Sequence, residues 1–147
     1  MLKDILTNDS IVSDVTASSW KEVIETVGNI LVRNGKVDKS FINSMIGVVE
    51  KFGPYMILIP QVAFFHGRPG PEVHEACLSL ITLKNPVYFT EFDNQMITCA
   101  FGFGAIDSDS HINMLMSVST LLQDERFIEL IRNNGSKESI LEIIQNY

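Results

Sequence analysis

Four short apolar runs in the middle of the chain limit the fold more than any other feature: MILI (56–59), VAFF (62–65), CLSLITL (77–83) and QMITCAFGF (95–103), each bounded by Pro, Gly, Asn or Asp. Apolar residues on consecutive positions over such lengths suit strands buried on both faces, so the sheet they form must be covered by helices. Both flanks have helical spacing. Trp20, Val23, Ile24, Val27, Ile30 and Leu31 fall on one helical face, with Ser19 and Glu22 at capping-box spacing before it and Gly35 after it. A second helix follows, with Phe41, Ile42, Met45, Val48, Val49 and Phe52 on its face, Asp38 as candidate N-cap and Gly53-Pro54 as its stop.

Beyond the strands, helical spacing returns in three segments: Ile112, Leu115, Met116, Ser119 and Leu122; then Phe127, Ile128, Leu130 and Ile131; then Ile140, Leu141, Ile143 and Ile144, with Gly135 dividing the last two. The order implies a layered α/β or α+β domain spanning residues 1–147, without linker, repeat or low-complexity tract. A chain of 147 residues that is 46% hydrophobic can fill such a core. Cys77 and Cys99 lie inside apolar runs without the paired spacing of a zinc or redox motif, which predicts buried thiols. The net charge of -7 disfavours nucleic acid and anionic lipid and favours a partner with a basic face. With no signal-like segment and no apolar run near the roughly 20 residues a bilayer requires, the expected compartment is the cytosol.

Three histidines, His66, His74 and His111, are the chemical candidates. His66 ends the run QVAFFH and is followed by Gly67, Arg68, Pro69, Gly70 and Pro71. Such a strand end can cap itself on backbone, or it can hold an imidazole at the sheet edge where ligands gather, with Arg68 supplying positive charge beside it. His111 follows Asp107-Ser108-Asp109-Ser110, an N-cap cluster, so it belongs in the first turn of a helix. There it is either an exposed cap residue or a neutral imidazole beside an anion-friendly helix end, since the helix dipole disfavours imidazolium. His74, between Glu72 and Glu75, reads as a solvated loop residue. A zinc site built of all three matches no metal-binding spacing. The sequence also lacks a GxxxxGK[ST] phosphate loop, a G-x-S-x-G elbow and a cysteine at a Gly-rich turn.

Taken together, "GPYMILIPQVAFFHGRP", the later K-N-P-V-Y-F and the still later F-G-x-x-x-x-D-S-D-S-H-I-x-x-L resemble the enzyme IIA domain of the bacterial phosphoenolpyruvate-dependent sugar phosphotransferase system. The type is the mannitol/fructose superfamily, and the branch is the ascorbate-like one with its GPY…P-G-x-A-M-P-H-A-R-P pattern. The resemblance spans essentially the whole chain and rests on two separated histidine motifs in order. It implies a mixed, mostly parallel five-stranded sheet with helices on both faces. It implies that His66 is the phosphoacceptor, receiving a phosphoryl group from HPr and passing it to a cysteine of enzyme IIB, which serves the membrane component enzyme IIC. It implies that His111 is the second active-site histidine, stabilising the phosphoryl group, and it matches Arg68 to the branch's arginine. No cofactor or metal is required. The chain departs from the family at Gln61, where glycine is usual, at Phe65, where proline is usual, and at Glu50-Lys51, where many mannitol-type members carry an arginine.

The chemistry fits these residues. A neutral imidazole attacks without a separate base, and a loose phosphoryl transition state needs alignment and donor or positive groups. Phe64 and Pro69 are candidate docking residues; strand alternation places Phe64 on the face of His66 and Phe65 in the core. The alternatives are a regulatory module of the same fold that signals through phosphorylation-dependent protein binding, and a zinc-dependent hydrolase or metal-binding domain using His66, His74 and His111.

Overall fold

The computed structural model describes residues 2–147. It contains strands β1 (Ile11–Val15), β2 (Ile57–Ile59), β3 (Gln61–His66), β4 (Cys77–Phe89) and β5 (Gln95–Gly104), and helices α1 (Trp20–Arg33), α2 (Ser40–Phe52), α3 (Ser108–Leu121), α4 (Glu125–Arg132) and α5 (Lys137–Ile144). The strands form one mixed sheet in the order β1-β4-β5-β3-β2. The expected five strands are present, but β1–β4 and β3–β5 are parallel while β2–β3 and β4–β5 are antiparallel, so the pairing is evenly divided rather than mostly parallel. The reason is local: β2 turns directly into β3, and β4 into β5, through connections too short for a parallel crossover.

Side chains alternate between the two faces as the consecutive apolar runs require. Ala63, Phe65, Ile81 and Ala100 join the core under α1 and α2. Val62, Phe64, Leu78, Leu80, Phe101 and Phe103 join the core under α3, α4 and α5. The helix α1 approaches the sheet so closely that a Cβ on Gly102 would lie 2.9 Å from Val27, and buried Ser79 donates to the Val27 carbonyl at 2.8 Å.

Local details differ from the sequence reading in instructive ways. Ser19 caps α1 by accepting from the Glu22 amide, but the Glu22 carboxylate reaches Ser18 rather than Ser19. Asp38 does not cap α2 with its side chain, because its carboxylate meets the His74 ring at 2.7 Å. Strand β1 has no extended apolar run to announce it, and only its parallel pairing with β4 extends it. Strand β4 continues six residues past Leu83 through Pro86. Pairing with β1 has ended by then and the register with β5 shifts between Thr82 and Val87, so the missing N–H costs no ladder bond. In α3 the buried residues are Met114, Val118 and Leu121, whereas Ile112 and Met116 are exposed. Apolar residues occur around this helix, and the Asp107 cap with the end of β5 decides which face turns inward.

Gln61 has φ 74, a left-handed conformation in which a side chain is strained and glycine is not. This is the position where the resembled family has glycine. Its side chain accepts a long hydrogen bond from Thr98 at 3.3 Å. We predict that Gln61→Gly raises stability by about 1 kcal/mol, a rise of roughly 3 °C in Tm for a chain of this size. Thermal unfolding checks this; a lower Tm would mean that the Thr98 contact outweighs the strain.

Candidate functional site

His66 is the last residue of β3, paired in parallel register with Phe103 of β5. Strand alternation turns it to the same side as Val62 and Phe64, toward α3. Directly after it the chain must bend past α2, and a Cβ on Gly67 would lie 2.6 Å from the Phe41 ring. Glycine at that point lets His66 sit against the helix layer, half-buried at the sheet edge.

His111 arrives from the opposite direction. Asp107 accepts from the Ser110 amide at 2.8 Å, and Ser110 bonds back to Asp107, which fixes the first turn of α3. One residue later His111 stands with its ring centroid 5.4 Å from that of His66, at 83°. Phe103 lies under both, 5.7 Å from His66 and 4.8 Å from His111. Its other neighbour is Phe64, stacked at 5.1 Å. The sequence reading named both histidines but missed Phe103, whose signal was the alternation F-G-F-G opposite FFH; register between distant strands is not visible in one sequence.

Electrostatics keep both rings neutral. Burial lowers the pKa of His66 most, the neighbouring His111 lowers it further, and the Gly67 carbonyl, hydrogen-bonded to the ring, opposes them. Burial alone lowers that of His111. The nitrogen of His66 that donates to Gly67 holds the proton, so the other ring nitrogen presents its lone pair. In His111, Nδ1 is buried without a partner among the described residues, a polar atom that is costly to leave unmet.

Arg68, two residues after His66, is exposed and lines a groove along α2 with Ser44, Gly47, Lys51 and Glu72. Phe64 is 1% exposed, so it supports His66 from below and cannot meet a partner; Pro69 is exposed. A separate apolar cleft of about 160 Å³ adjoins His66, lined by Val48, Val49, Phe52, Tyr55, Met56 and Phe64. Tyr55 is 80% exposed at its rim. Phe65, fully buried on the other face, does not narrow the approach to His66, and Gln61 lies at the far end of the strand.

The remaining expectations divide. Cys77 and Cys99 are buried and burial pushes both thiols up to about 12. His74 is more than a solvated loop residue: it clasps the α1–α2 connection through Asp38 and the Gly35 carbonyl, which raise its pKa. That contact keeps it apart from the other two histidines, and no group of three His, Cys, Asp or Glu side chains among the described residues could hold a metal. The zinc reading falls on that geometry. Among the described residues no helix is long and apolar enough to cross a membrane.

Fold and site together define an α/β domain with two histidines, ring centroids 5.4 Å apart, facing each other at one end of a mixed sheet. Residues 4–147 match the family model described as "Phosphoenolpyruvate-dependent sugar phosphotransferase system, EIIA 2". The chain is 30% identical over 145 residues to the ascorbate-specific PTS system EIIA component of Escherichia coli, covering 97% of this chain and 94% of that one. It superposes on the mannitol-specific cryptic phosphotransferase enzyme IIA CmtB of Escherichia coli with a TM-score of 0.85 at 29% identity, covering 99% of each chain. It also shares the fold of enzyme IIA in the mannitol IIA–phosphorylated IIB complex from Escherichia coli, with a TM-score of 0.83 at 22% identity over 97% of this chain and 100% of that one. The chain belongs to the EIIA 2 family of the sugar phosphotransferase system and is a phosphotransferase component that carries phosphoryl groups.

The pKa directions give a measurable signature. Because His66 and His111 titrate below the ordinary value of about 6.5, both stay neutral as pH falls through it, while His74 protonates above it. Protonating His66 or His111 at lower pH opposes folding, so their burial contributes stability that is lost as pH falls through their depressed pKa values. A histidine NMR titration is expected to place two resonances below 6.5 and one above; all three near 6.5 would contradict the burial argument.

Proposed function

We propose that His66 is the phosphoacceptor of this phosphocarrier, that HPr is its donor and that a cysteine of an enzyme IIB is its acceptor. The observation that carries the reading is the pair of neutral imidazoles, 5.4 Å apart, in the first turn of α3 and at the end of β3. In the first step a bond forms between the free ring nitrogen of His66 and phosphorus as the donor's P–N bond breaks, the electron pair returning to the donor imidazole. In the second, a thiolate of enzyme IIB attacks phosphorus and the His66 nitrogen leaves with its pair. Near its neutral form, His66 needs no base for attack, and the loose transition state asks chiefly for alignment and donors. His111 and the Ser108 amide at the start of α3 are the donors this reading assigns. Arg68, exposed two residues after His66 in the groove that Lys51 also lines, supplies positive charge for the incoming phosphoryl group.

The exposed apolar residues support a docking face around this pair. Tyr55 and Phe52 rim the cleft on one side, Ile112 and Met116 project from α3 on the other, and Pro69 follows the site in sequence. A partner must bring its reactive atom to a half-buried histidine, so it has to present a convex, partly apolar surface. The ascorbate-specific relative supports ascorbate or a related carbohydrate as the transported substrate, through an enzyme IIC that this domain meets only indirectly. Residues 1–147 then act as one cytoplasmic domain.

Incubation with phosphoenolpyruvate, enzyme I and HPr, followed by intact-mass analysis, tests the assignment. Wild type is expected to gain one acid-labile phosphoryl group, His66→Ala none, and His111→Ala one at a rate lower by roughly 10²-fold, the scale of one lost transition-state donor. Arg68→Ala is expected to slow transfer only modestly and to weaken its dependence on salt. Full phosphorylation of His66→Ala would overturn the reading.

A further inference from the structure

The geometry points to Phe103 as the positioning residue of the imidazole pair, a role that rests on the reading of His66 as phosphoacceptor. Three rings meet there: Phe103 is 5.7 Å from His66, edge-on at 64°, 4.8 Å from His111, and stacked on Phe64 at 5.1 Å and 25°. It is fully buried, and its backbone is in register with His66 on the neighbouring strand. Among the described residues the His66 ring bonds only to the backbone of its own neighbour Gly67, and His111 Nδ1 has no partner, so no hydrogen bond links one imidazole's position to the other's. What sets the two rings relative to each other is packing, and the surface common to both is the Phe103 ring.

Phosphoryl transfer is sensitive to such placement, because in-line attack tolerates little angular error and a misplacement near 1 Å costs about 10²-fold in rate. Phe103 touches no phosphorus and donates no proton. It acts through the histidines by holding the His66 lone pair and the His111 ring at one fixed angle and by excluding the water that would raise their pKa values. Its neighbour two residues back supplies the control. Phe101 is equally buried, lies on the same face of the same strand and contacts Phe64 and Phe127, but neither imidazole.

The test compares Phe103→Leu with Phe101→Leu. Each removes one aromatic ring from the same core and both should lower Tm to a similar extent. Phe103→Leu is expected to reduce the single-turnover rate of phosphorylation by phospho-HPr at least roughly 10-fold with little change in the HPr concentration for half-maximal rate, and to move the His66 and His111 titrations up toward the ordinary histidine value. Phe101→Leu is expected to leave rate and titrations at wild-type values. Equal rates and titrations in the two variants, or an effect confined to Tm, would overturn the inference while leaving His66 as carrier intact. Phosphorylation persisting in His66→Ala would instead remove the reading on which it rests. Should Phe103→Leu fail to fold, Phe103→Met, which preserves more volume but no ring, carries the same comparison.

Discussion

Everything at the reactive end of the molecule depends on one register, the parallel pairing of β3 with β5 that sets His66 opposite Phe103. Parallel neighbours cannot be joined by a tight turn, so β4 must intervene, and it does so antiparallel to β5 with Leu78 opposite Phe103. A slip of one residue would send Phe64 and His66 to the α1–α2 face and exchange the two cores. That slip is opposed from both sides, by Phe65 and Ala63 under α1 and α2 and by Phe64 and Val62 under α3 to α5. The chemistry thus inherits its precision from ordinary core packing.

The same packing resolves a conflict between nucleophilicity and charge. Burial holds the imidazoles neutral, which preserves the lone pair, yet an anionic phosphoryl group arriving there would lose solvation. The site meets this by opening at its edge, where His66 is only half-buried and α3 begins with backbone N–H groups that have no carbonyl partner within the helix. Asp107 takes the Ser110 amide and bonds that of Asp109 as well, and the Ser108 amide precedes both in the turn. A carboxylate cap beside an anion-binding turn is tolerable because it is exposed and turned into its own capping box, with its charge stabilised by the Ser110 bonds that lower its pKa.

How far the sequence speaks depends on whether the deciding interaction is local. The α1 start at Ser19, the α2 stop at Gly53, the four apolar strands and the His111 helix turn all rest on neighbours within a few residues, and they were legible. Strand β1 was not, because IVSDV gains its extended form from pairing with Leu80 and Ile81 some seventy residues away. The inward face of α3 was misread because periodicity admits two apolar stripes on that helix. Arg68 follows His66 with only Gly67 between them, and what local sequence does not disclose is the groove along α2 that its side chain lines. Likewise His74 looked solvated until the fold brought Asp38 and the Gly35 carbonyl to it.

Two of the departures from the resembled family, Gln61 and Phe65, then acquire meanings different from the one their place in the His66 strand suggests. Phe65 precedes the histidine in sequence, but alternation sends it to the opposite core, where it packs 6.2 Å from Phe89 and closes the space between sheet and α1–α2 layer. Phenylalanine there adds a large buried surface to that core. Gln61 sits at the other end of β3, in the tight turn from β2, and its left-handed backbone draws on that gain rather than on anything at the site. Phe65 thus adds to the packing of its strand on the far face, and the rings that meet His66 on its own face, Phe103 and His111, come from elsewhere in the chain.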